Sequence, residues 1–543
     1  MQYKLLTIAL LVSSQAAFAA TPPDAGSTLQ QIPAAPALKK SLPEIRVEQG
    51  GVPAAPVTDN TKITVNSLRI EGAKAFASSE LVAFTGFKPG SELSLTELRG
   101  MASKIADYYH SHGYFVAQAY LLAQDIKGGA VTITVIEGQY GRIRLNNQSK
   151  LSDRLANSLL GGIDAGAAIT ADRLESRLLT LSDLPGVNVK STLVPGASVG
   201  TSDLIVDVTP GRRVTGSIDA DNEGNRYTGK NRIGANLNLN NLAGYGDVAS
   251  LRAFTSGNGL SYGRASYQIQ IGKAKVGVAY ADMSYYLGSD YASLQATGTA
   301  KISSLYGSYP LIRSRSNNLY VQLAFDSKSL QDKTGVPQSI TDKKVNVWMA
   351  GINGDRRDSF GGGGYMGYGA TLHTGNLNAI ATAANSNGSY SKMDFNALRL
   401  QSLTDTASFY AAINGQFASK NLDNSEKMEL GGSNGVRAYP EGEAYADQGY
   451  VLNLEVRKQL AQFRDIQPQF IGFVDTGTVT LNKNPWVAGQ NSRTLSGFGV
   501  GLNLSSNDSY LIKAYYAHKL GNAVATSAPD SNSRIWVQGV KYF

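Results

Sequence analysis

The chain has 543 residues, four histidines and no cysteine, which excludes disulfides and thiolate metal sites and leaves little material for a histidine-built centre. Its formal charge is +8, but Lys and Arg are scattered among acidic residues rather than gathered in blocks, which argues against nucleic acid as a partner. A chain with 58 Gly and 28 Tyr and only 42% hydrophobic residues fits a β-rich protein whose strands have one apolar and one wet face.

Residues 1–19 read as a secretory signal: Lys4 supplies the charged start, Leu5 to Val12 the apolar run, and Ala17-Phe18-Ala19 the small-residue cleavage site, with the cut placed after Ala19. A membrane anchor needs about twenty apolar residues, more than this run offers, and no later segment is long and apolar enough for a transmembrane helix. The mature chain is therefore a soluble protein outside the cytoplasm or a membrane β-barrel. Residues 20–61 form a linker punctuated by Pro22, Pro23, Pro33, Pro36, Pro43, Pro53 and Pro56. Such a stretch cannot bury a core and reads as extended or mobile; Ser27 to Ile32 is its one candidate helix.

Two small α+β modules follow, over 62–138 and 139–210. In the first, Ile63 to Ile70 predicts a strand. Ser94-Leu95-Thr96-Glu97 is a capping box, and Leu98, Ala102, Ile105 and Tyr109 continue it at helical spacing to a stop at Gly113. Tyr114 to Leu121 and Ala130 to Ile136 predict two strands separated by Gly128-Gly129. The second module repeats this order, with Ile143 and Leu145, then a helical stripe of Leu174, Leu178 and Leu181, then strands Val187 to Val194 and Leu204 to Val208.

From 211 to 543 the period becomes two. Ile233, Ala235, Leu237 and Leu239 face one way, and Arg232, Asn236, Asn238 and Asn240 the other. Leu319 to Phe325, Leu452 to Val456 and Tyr510 to Tyr516 alternate similarly. A soluble sandwich would alternate in the same way, so connector length decides. Short connectors (Gly244–Asp247, Gly272–Lys275, Leu403–Ala407, Ser505–Ser509) interleave with long ones (Ser327–Lys343, His373–Ser391, Gly415–Gly449, Asp475–Thr494, His518–Ser533). That is the arrangement of an outer-membrane barrel with short turns on one side and long loops on the other, and about sixteen antiparallel strands account for the region.

The whole mature chain resembles the two-partner secretion transporters of the hemolysin secretion/activation type, within the superfamily of outer-membrane assembly barrels. Gly113-Tyr114-Phe115-Val116, Ala119-Tyr120-Leu121, Gln124-Asp125 and Val135-Ile136-Glu137-Gly138 are like the end of that family's first polypeptide-transport-associated (POTRA) module. Asp221-Asn222-Glu223-Gly224 with Tyr227-Thr228-Gly229 resembles its first barrel hairpin. The resemblance implies two periplasmic POTRA modules ahead of a sixteen-strand barrel in the outer membrane of a Gram-negative bacterium. It implies no cofactor and a monomer, with one large unfolded exoprotein as client. Outer-membrane lipid, periplasmic chaperones and the barrel-assembly machinery would be its other partners. It leaves open whether the linker helix plugs the pore.

Val436-Arg437-Ala438-Tyr439, preceded by Gly435, is similar to the superfamily's Val-Arg-Gly-Tyr loop motif. There the loop folds back into the barrel and its arginine meets the aspartate of a Phe-x-Asp motif, which here is Phe473-Val474-Asp475. A charged loop residue is ordinarily solvated. A guanidinium inside a partly dehydrated lumen, by contrast, needs a carboxylate that can accept it bidentately. The expected lock is Arg437, Asp475, Tyr439, Phe473 and Gly435. Ala438 stands where the family has glycine, which leaves the loop backbone to be determined.

Three alternatives rank below secretion. Gly431-Gly432-Ser433-Asn434-Gly435 fits the nucleophile-elbow pattern, and Asp475 and His518 follow in hydrolase order. No helical stripe follows Ser433, however, and His518 is expected on the lipid side of its strand or at its end. A diffusion porin would leave the two modules unexplained. An insertase of other barrels would carry more modules.

Overall fold

The computed structural model describes residues 22–36, 43–48, 61–379, 385–486, 488–506 and 509–543. The signal reading at 1–19 and much of the linker lie outside them. The linker contributes helix α1 (Ala25–Gln30) and strand β1 (Glu44–Val47). The helix starts two residues earlier than the sequence suggests. Asp24 and Ser27 cap it reciprocally, with the Ser27 amide donating to Asp24 Oδ1 at 2.8 Å. Strand β1 is the extended part of the linker, fixed by pairing that the sequence reading did not foresee. Its ladder is made with main-chain groups, which the Pro-rich composition hides.

The first module contains β2 (Lys62–Val65), β3 (Ser67–Glu71), α2 (Ser78–Thr85), β4 (Ser91–Ser94), α3 (Leu95–Ser111), β5 (Gln118–Tyr120) and β6 (Ala130–Ile136). The expected first strand is thus two: β2 pairs with β4, whereas β3 runs parallel to β6. The chain steps between them at Asn66, whose amide donates to the Gly129 carbonyl at 2.7 Å. The strand expected from Tyr114 shrinks to three residues because 114–117 turn, with Ala117 N donating to Tyr114 O. Helix α2 escapes sequence reading because only Leu81 and Thr85 are buried. The capping box of α3 is present in both directions. It holds the Glu97 carboxyl below its ordinary value, chiefly through the Ser94 backbone N–H.

Motif residues at the module's end have structural work. Glu137 Oε1 accepts from Tyr109 Oη at 2.9 Å and from the amides of Lys74 and Ala75 at 2.6 Å. Gln124 fastens both main-chain groups of Thr132, at 2.8 and 2.7 Å. Gly138 has φ +81°, and a side chain there would collide with Val116.

The second module contains β7 (Gln139–Asn147), α4 (Asp153–Leu160), α5 (Ala171–Ser182), β8 (Val187–Pro195) and β9 (Thr201–Pro210). Helix α4 was not foreseen, although Leu155, Ala156, Leu159 and Leu160 bury one face. The sheet order is β1-β8-β9-β7. Its core gathers Leu174, Leu178, Leu181, Val189, Leu204 and Val206.

The barrel strands begin with β10 (Val214–Asp221), β11 (Arg232–Asn240), β12 (Val248–Thr255), β13 (Leu260–Ile271), β14 (Ala274–Tyr286), β15 (Thr297–Arg313), β16 (Asn317–Gly335) and β17 (Gln338–Asp358). They continue with β18 (Gly364–Ala379), β19 (Gly388–Ser402) and β20 (Ala407–Ala418). Two two-residue strands, β21 (Met428–Glu429) and β22 (Tyr445–Ala446), pair with each other inside the next loop. Then come β23 (Gln448–Gln459), β24 (Ile466–Thr480), β25 (Ser492–Ser506), β26 (Tyr510–Leu520) and β27 (Ser533–Tyr542).

Sixteen antiparallel strands close by pairing β10 with β27, from Ser217↔Tyr542 to Asp221↔Gln538. Asn222 prolongs this seam with its side-chain amide, which bonds Ile535 O and Val537 N. As expected from the alternation, Ile233 and Leu251 are exposed on the outer wall, while Arg232, Asn236 and Asn240 are buried in the lumen. One expected long loop is corrected. Ser327–Lys343 is ladder on both sides of a turn at Val336-Pro337, because antiparallel pairing needs no apolar side chains once the strand leaves the lipid. The loops at 373–391, 475–494 and 518–533 are likewise shortened by strand extensions. The second module sits at the short-turn side, where Asp183 grips Arg313 bidentately at 2.7 and 2.8 Å.

Candidate functional site

The loop between β20 and β23 folds into the barrel, and Arg437 is its anchor. The guanidinium is 4% exposed and its partner Asp475 is fully buried. Arg437 Nε donates to Asp475 Oδ2 at 2.9 Å, Nη2 to Oδ1 at 2.8 Å, and the Arg437 amide to Oδ2 at 3.1 Å. A carboxylate thus holds both the side chain and the backbone of the loop. Phe473, two residues before Asp475 on the same face of β24, lies flat beneath the guanidinium at 3.5 Å from Cζ to ring centroid.

Four contributors were not singled out in the sequence. Glu455 on β23 takes Nη1 at 2.9 Å. Asn453, also on β23, joins Asp475 Oδ1 at 2.8 Å and the Gly435 carbonyl at 3.0 Å. Tyr515 closes the cage edge-on to Phe473. Trp536 Nε1 on the terminal strand donates to the Arg437 carbonyl at 2.7 Å. The wet-face alternation of β23 carried the signal for Asn453 and Glu455; nothing local marked Trp536.

The other residues of the expected lock, Tyr439 and Gly435, lie in the same loop. Tyr439 is fully buried and its hydroxyl donates to Ala523 O at 3.2 Å, with Lys519 Nζ 4.8 Å from its ring centroid. Gly435 is required because a Cβ there would meet the carbonyls of Leu430 and Gly431. Ala438 is not in the left-handed region, so its backbone does not call for glycine. The methyl is admitted because Gly497 on β25 faces it without a side chain.

Helix α1 occupies the lumen beside this loop. Lys343 Nζ bonds Asp24 at 2.7 Å and Asp423 at 3.0 Å, and the Ala25 amide donates to Asp332 at 2.7 Å. At the other end, Arg232 Nη1 donates to Gln31 O at 3.1 Å and Gln31 Nε2 to the Tyr445 hydroxyl at 2.6 Å. Gly26 lets Ser425 of the loop approach so closely that a side chain there would strike its backbone. Below the helix a cavity of about 910 Å³ opens toward the second module, bordered by Asn236, Asn238 and Arg252 of the wall and Val187 and Asn188 of β8.

The hydrolase residues do not assemble. Ser433 lies beside Glu223 and away from His518, Asp475 is engaged by Arg437, and His518 packs on the outer wall against Phe498. Among the described residues no cluster of His, Asp and Glu could hold a metal ion.

The profile of the haemolysin secretion/activation protein family ShlB/FhaC/HecB matches residues 200–504, and that of the ShlB-type POTRA domain matches 63–138. This chain belongs to the haemolysin secretion/activation family. The heme/hemopexin transporter protein HuxB of Haemophilus influenzae is 32% identical over 472 residues, covering 84% of this chain and 82% of HuxB. The outer membrane transporter CdiB of Dickeya dadantii is 22% identical over 463 residues, covering 82% and 80%. Among solved structures, CdiB from Escherichia coli aligns with a TM-score of 0.71 at 20% identity, covering 90% of this chain and 92% of that one. BamA from Haemophilus ducreyi lacking POTRA domains 1-3 aligns with a TM-score of 0.53 at 14% identity, covering 89% and 100%. The protein is a two-partner secretion transporter of the outer membrane, with its POTRA modules in the periplasm.

Proposed function

We propose that the protein exports one large exoprotein, an adhesin, hemolysin or similar chain, which arrives unfolded in the periplasm and crosses the barrel without ATP. The observation that carries this reading is a polar lumen occupied by two separate elements, helix α1 and the Arg437 loop. Each is held by buried ion pairs rather than by apolar packing alone. Such a lumen suits a conduit that is closed at rest. The POTRA modules take up extended segments of the client by strand addition, in which main-chain hydrogen bonds tolerate varied sequence. The segment enters the barrel once α1 and the loop move aside, and Asn and Arg side chains keep its path wet. Folding of the client outside the cell buries apolar surface and makes return unfavourable. The protein works in this way as a monomer and performs no covalent chemistry.

The test is the secreted proteome of the native host with and without this gene. Loss of one very large protein from the medium, with outer-membrane barrels at normal levels, is the expected result. An unchanged medium would refute it.

A further inference from the structure

The cavity of about 910 Å³ between helix α1 and the second module holds more positive charge than the fold uses. Arg252 of β12 and Arg264 of β13 stand directly opposite each other in the ladder, and both border the cavity. Like charges placed this way on adjacent strands are destabilising unless something neutralises them. Arg252 has its own counter-charge. Asp219 of β10 accepts from Nη1 and, at 2.9 Å, from Nη2. Gly234 of β11 leaves room for this pair, since a Cβ there would strike both partners. Asp219 is buried and both its oxygens are engaged, so it has nothing left for Arg264.

Arg264 is exposed to the cavity and forms no ion pair among the described residues. The same holds for Arg212, just ahead of β10. Neighbouring carboxylates are committed elsewhere. Among the described residues Asp183 is the one acidic side chain on the cavity wall, and it grips Arg313. Asp282 of β14 stands opposite Gly263, exposed on the outer face of the barrel. The neutral part of the wall also suits an anion. Ser250 Oγ donates to Asn238 Oδ1 at 2.7 Å, which leaves the Asn238 N–H₂ group as a donor. Residues 33–36 of the linker, Pro-Ala-Ala-Pro, border the cavity and bring no carboxylate. Two guanidiniums are thus without a partner in a polar cavity, and a carboxylate is the group their planar fork fits.

We propose that this cavity recognises a carboxylate-bearing extended segment of the exported polypeptide, with Arg264 and Arg212 as the groups that meet it. This rests on the transporter reading above. Arg252, fixed to the wall by Asp219, backs the site without leaving its place. The segment that fits carries at least two Asp or Glu side chains, and a lysine-rich one is repelled. Farther along the lumen the balance reverses, since Asp24, Asp332 and Asp423 surround Lys343. An acidic segment is therefore held at the barrel mouth rather than drawn onward.

Isothermal titration calorimetry on the detergent-solubilised full-length protein, at low salt, compares two short unlabelled peptides, one alternating Glu and Gly and the other Lys and Gly. The Glu peptide should bind and weaken as salt rises, and the Lys peptide should not bind. Arg264→Gln with Arg212→Gln should weaken binding about tenfold, and the corresponding pair of lysine substitutions should keep most of it. Arg144→Gln with Arg154→Gln, exposed on the second module and outside the cavity wall, should change nothing. In the native host the glutamine pair should lower export several-fold with the barrel at its normal level in the membrane, and the lysine pair should restore it. Equal binding of the two peptides, or binding or export that ignores the glutamine pair, overturns the inference while leaving the transporter reading intact. Displacement of the Glu peptide by inorganic phosphate, at constant ionic strength, as readily as by more peptide also overturns it. If deleting the whole gene leaves the medium unchanged, the transporter reading itself falls and takes the inference with it.

Discussion

Replacing Asp475 with asparagine tests the lock with little change in volume. The carboxylate accepts three hydrogen bonds from Arg437 and one from Asn453. Asparagine keeps one acceptor oxygen, presents an N–H₂ group to the guanidinium, and removes the charge. A hydrogen bond to a charged group contributes about 1.5–3 kcal/mol, and breaking one side of a buried ion pair costs about 3–5 kcal/mol. Glu455 still holds Nη1 at 2.9 Å, so the lower end applies: about 3 kcal/mol, or roughly 150-fold in the loop's equilibrium. Trp536 is the natural reporter, because its indole donates to the Arg437 carbonyl. With Trp348→Phe and Trp486→Phe, both exposed, it is the only tryptophan left of three. In urea titrations of the protein in lipid vesicles, Asp475→Asn should shift the Trp536 transition to lower urea. A double-mutant cycle with Arg437→Met should give a coupling of about 2–3 kcal/mol. Coupling within about 0.5 kcal/mol of zero would refute the reasoning, since independent sites behave that way.

Gly435→Val should cost about 1–3 kcal/mol by overpacking against Leu430 and Gly431, seen as protease cleavage of the 430–445 loop that wild type resists. Lys343→Met leaves Asp24, Asp332 and Asp423 facing one another, and channel openings in planar bilayers should become about tenfold more frequent, equivalent to about 1.4 kcal/mol. The Glu97 carboxyl is depressed in the folded chain. Its cap is therefore complete above the unfolded carboxyl value of 4.5 and is lost as pH falls through the lower folded value. Amide exchange in the first turn of α3 should rise across that acid window, and Ser94→Ala should abolish the dependence.

Much of this was legible because the relevant physics is local. The capping box of α3 needs only Ser94 and Glu97, and the alternation of Arg232 with Ile233 reflects a wall between lipid and water. The Arg437–Asp475 pair was legible for a different reason: the loop charge alone would read as solvated, and only the resemblance of Val436-Arg437-Ala438-Tyr439 and Phe473-Val474-Asp475 to the family motifs placed it inside the barrel, where it needs a counter-charge. What stayed hidden depends on partners distant in sequence. Strand β1 exists only because β8 offers an edge nearly 150 residues later. Asp24 is an ordinary cap until Lys343 meets it. The strands through 327–343 read as loop because polar side chains on a ladder outside the membrane leave no alternation to detect.

That same hairpin sets what the cell shows to its surroundings. Phe325 and Trp348 pack together at the top of the apolar band, and beyond them β16 and β17 climb about ten more residues, roughly 30 Å of strand. Its outward face carries Ser329, Lys333, Asp342, Lys344 and Asn346, while Leu330 and Val345 secure the inner one. Any large molecule approaching from the long-loop side meets this ridge before it meets the pore. Because these outward side chains point away from the lumen, their identity is set by the water around the hairpin and not by the elements packed inside the barrel.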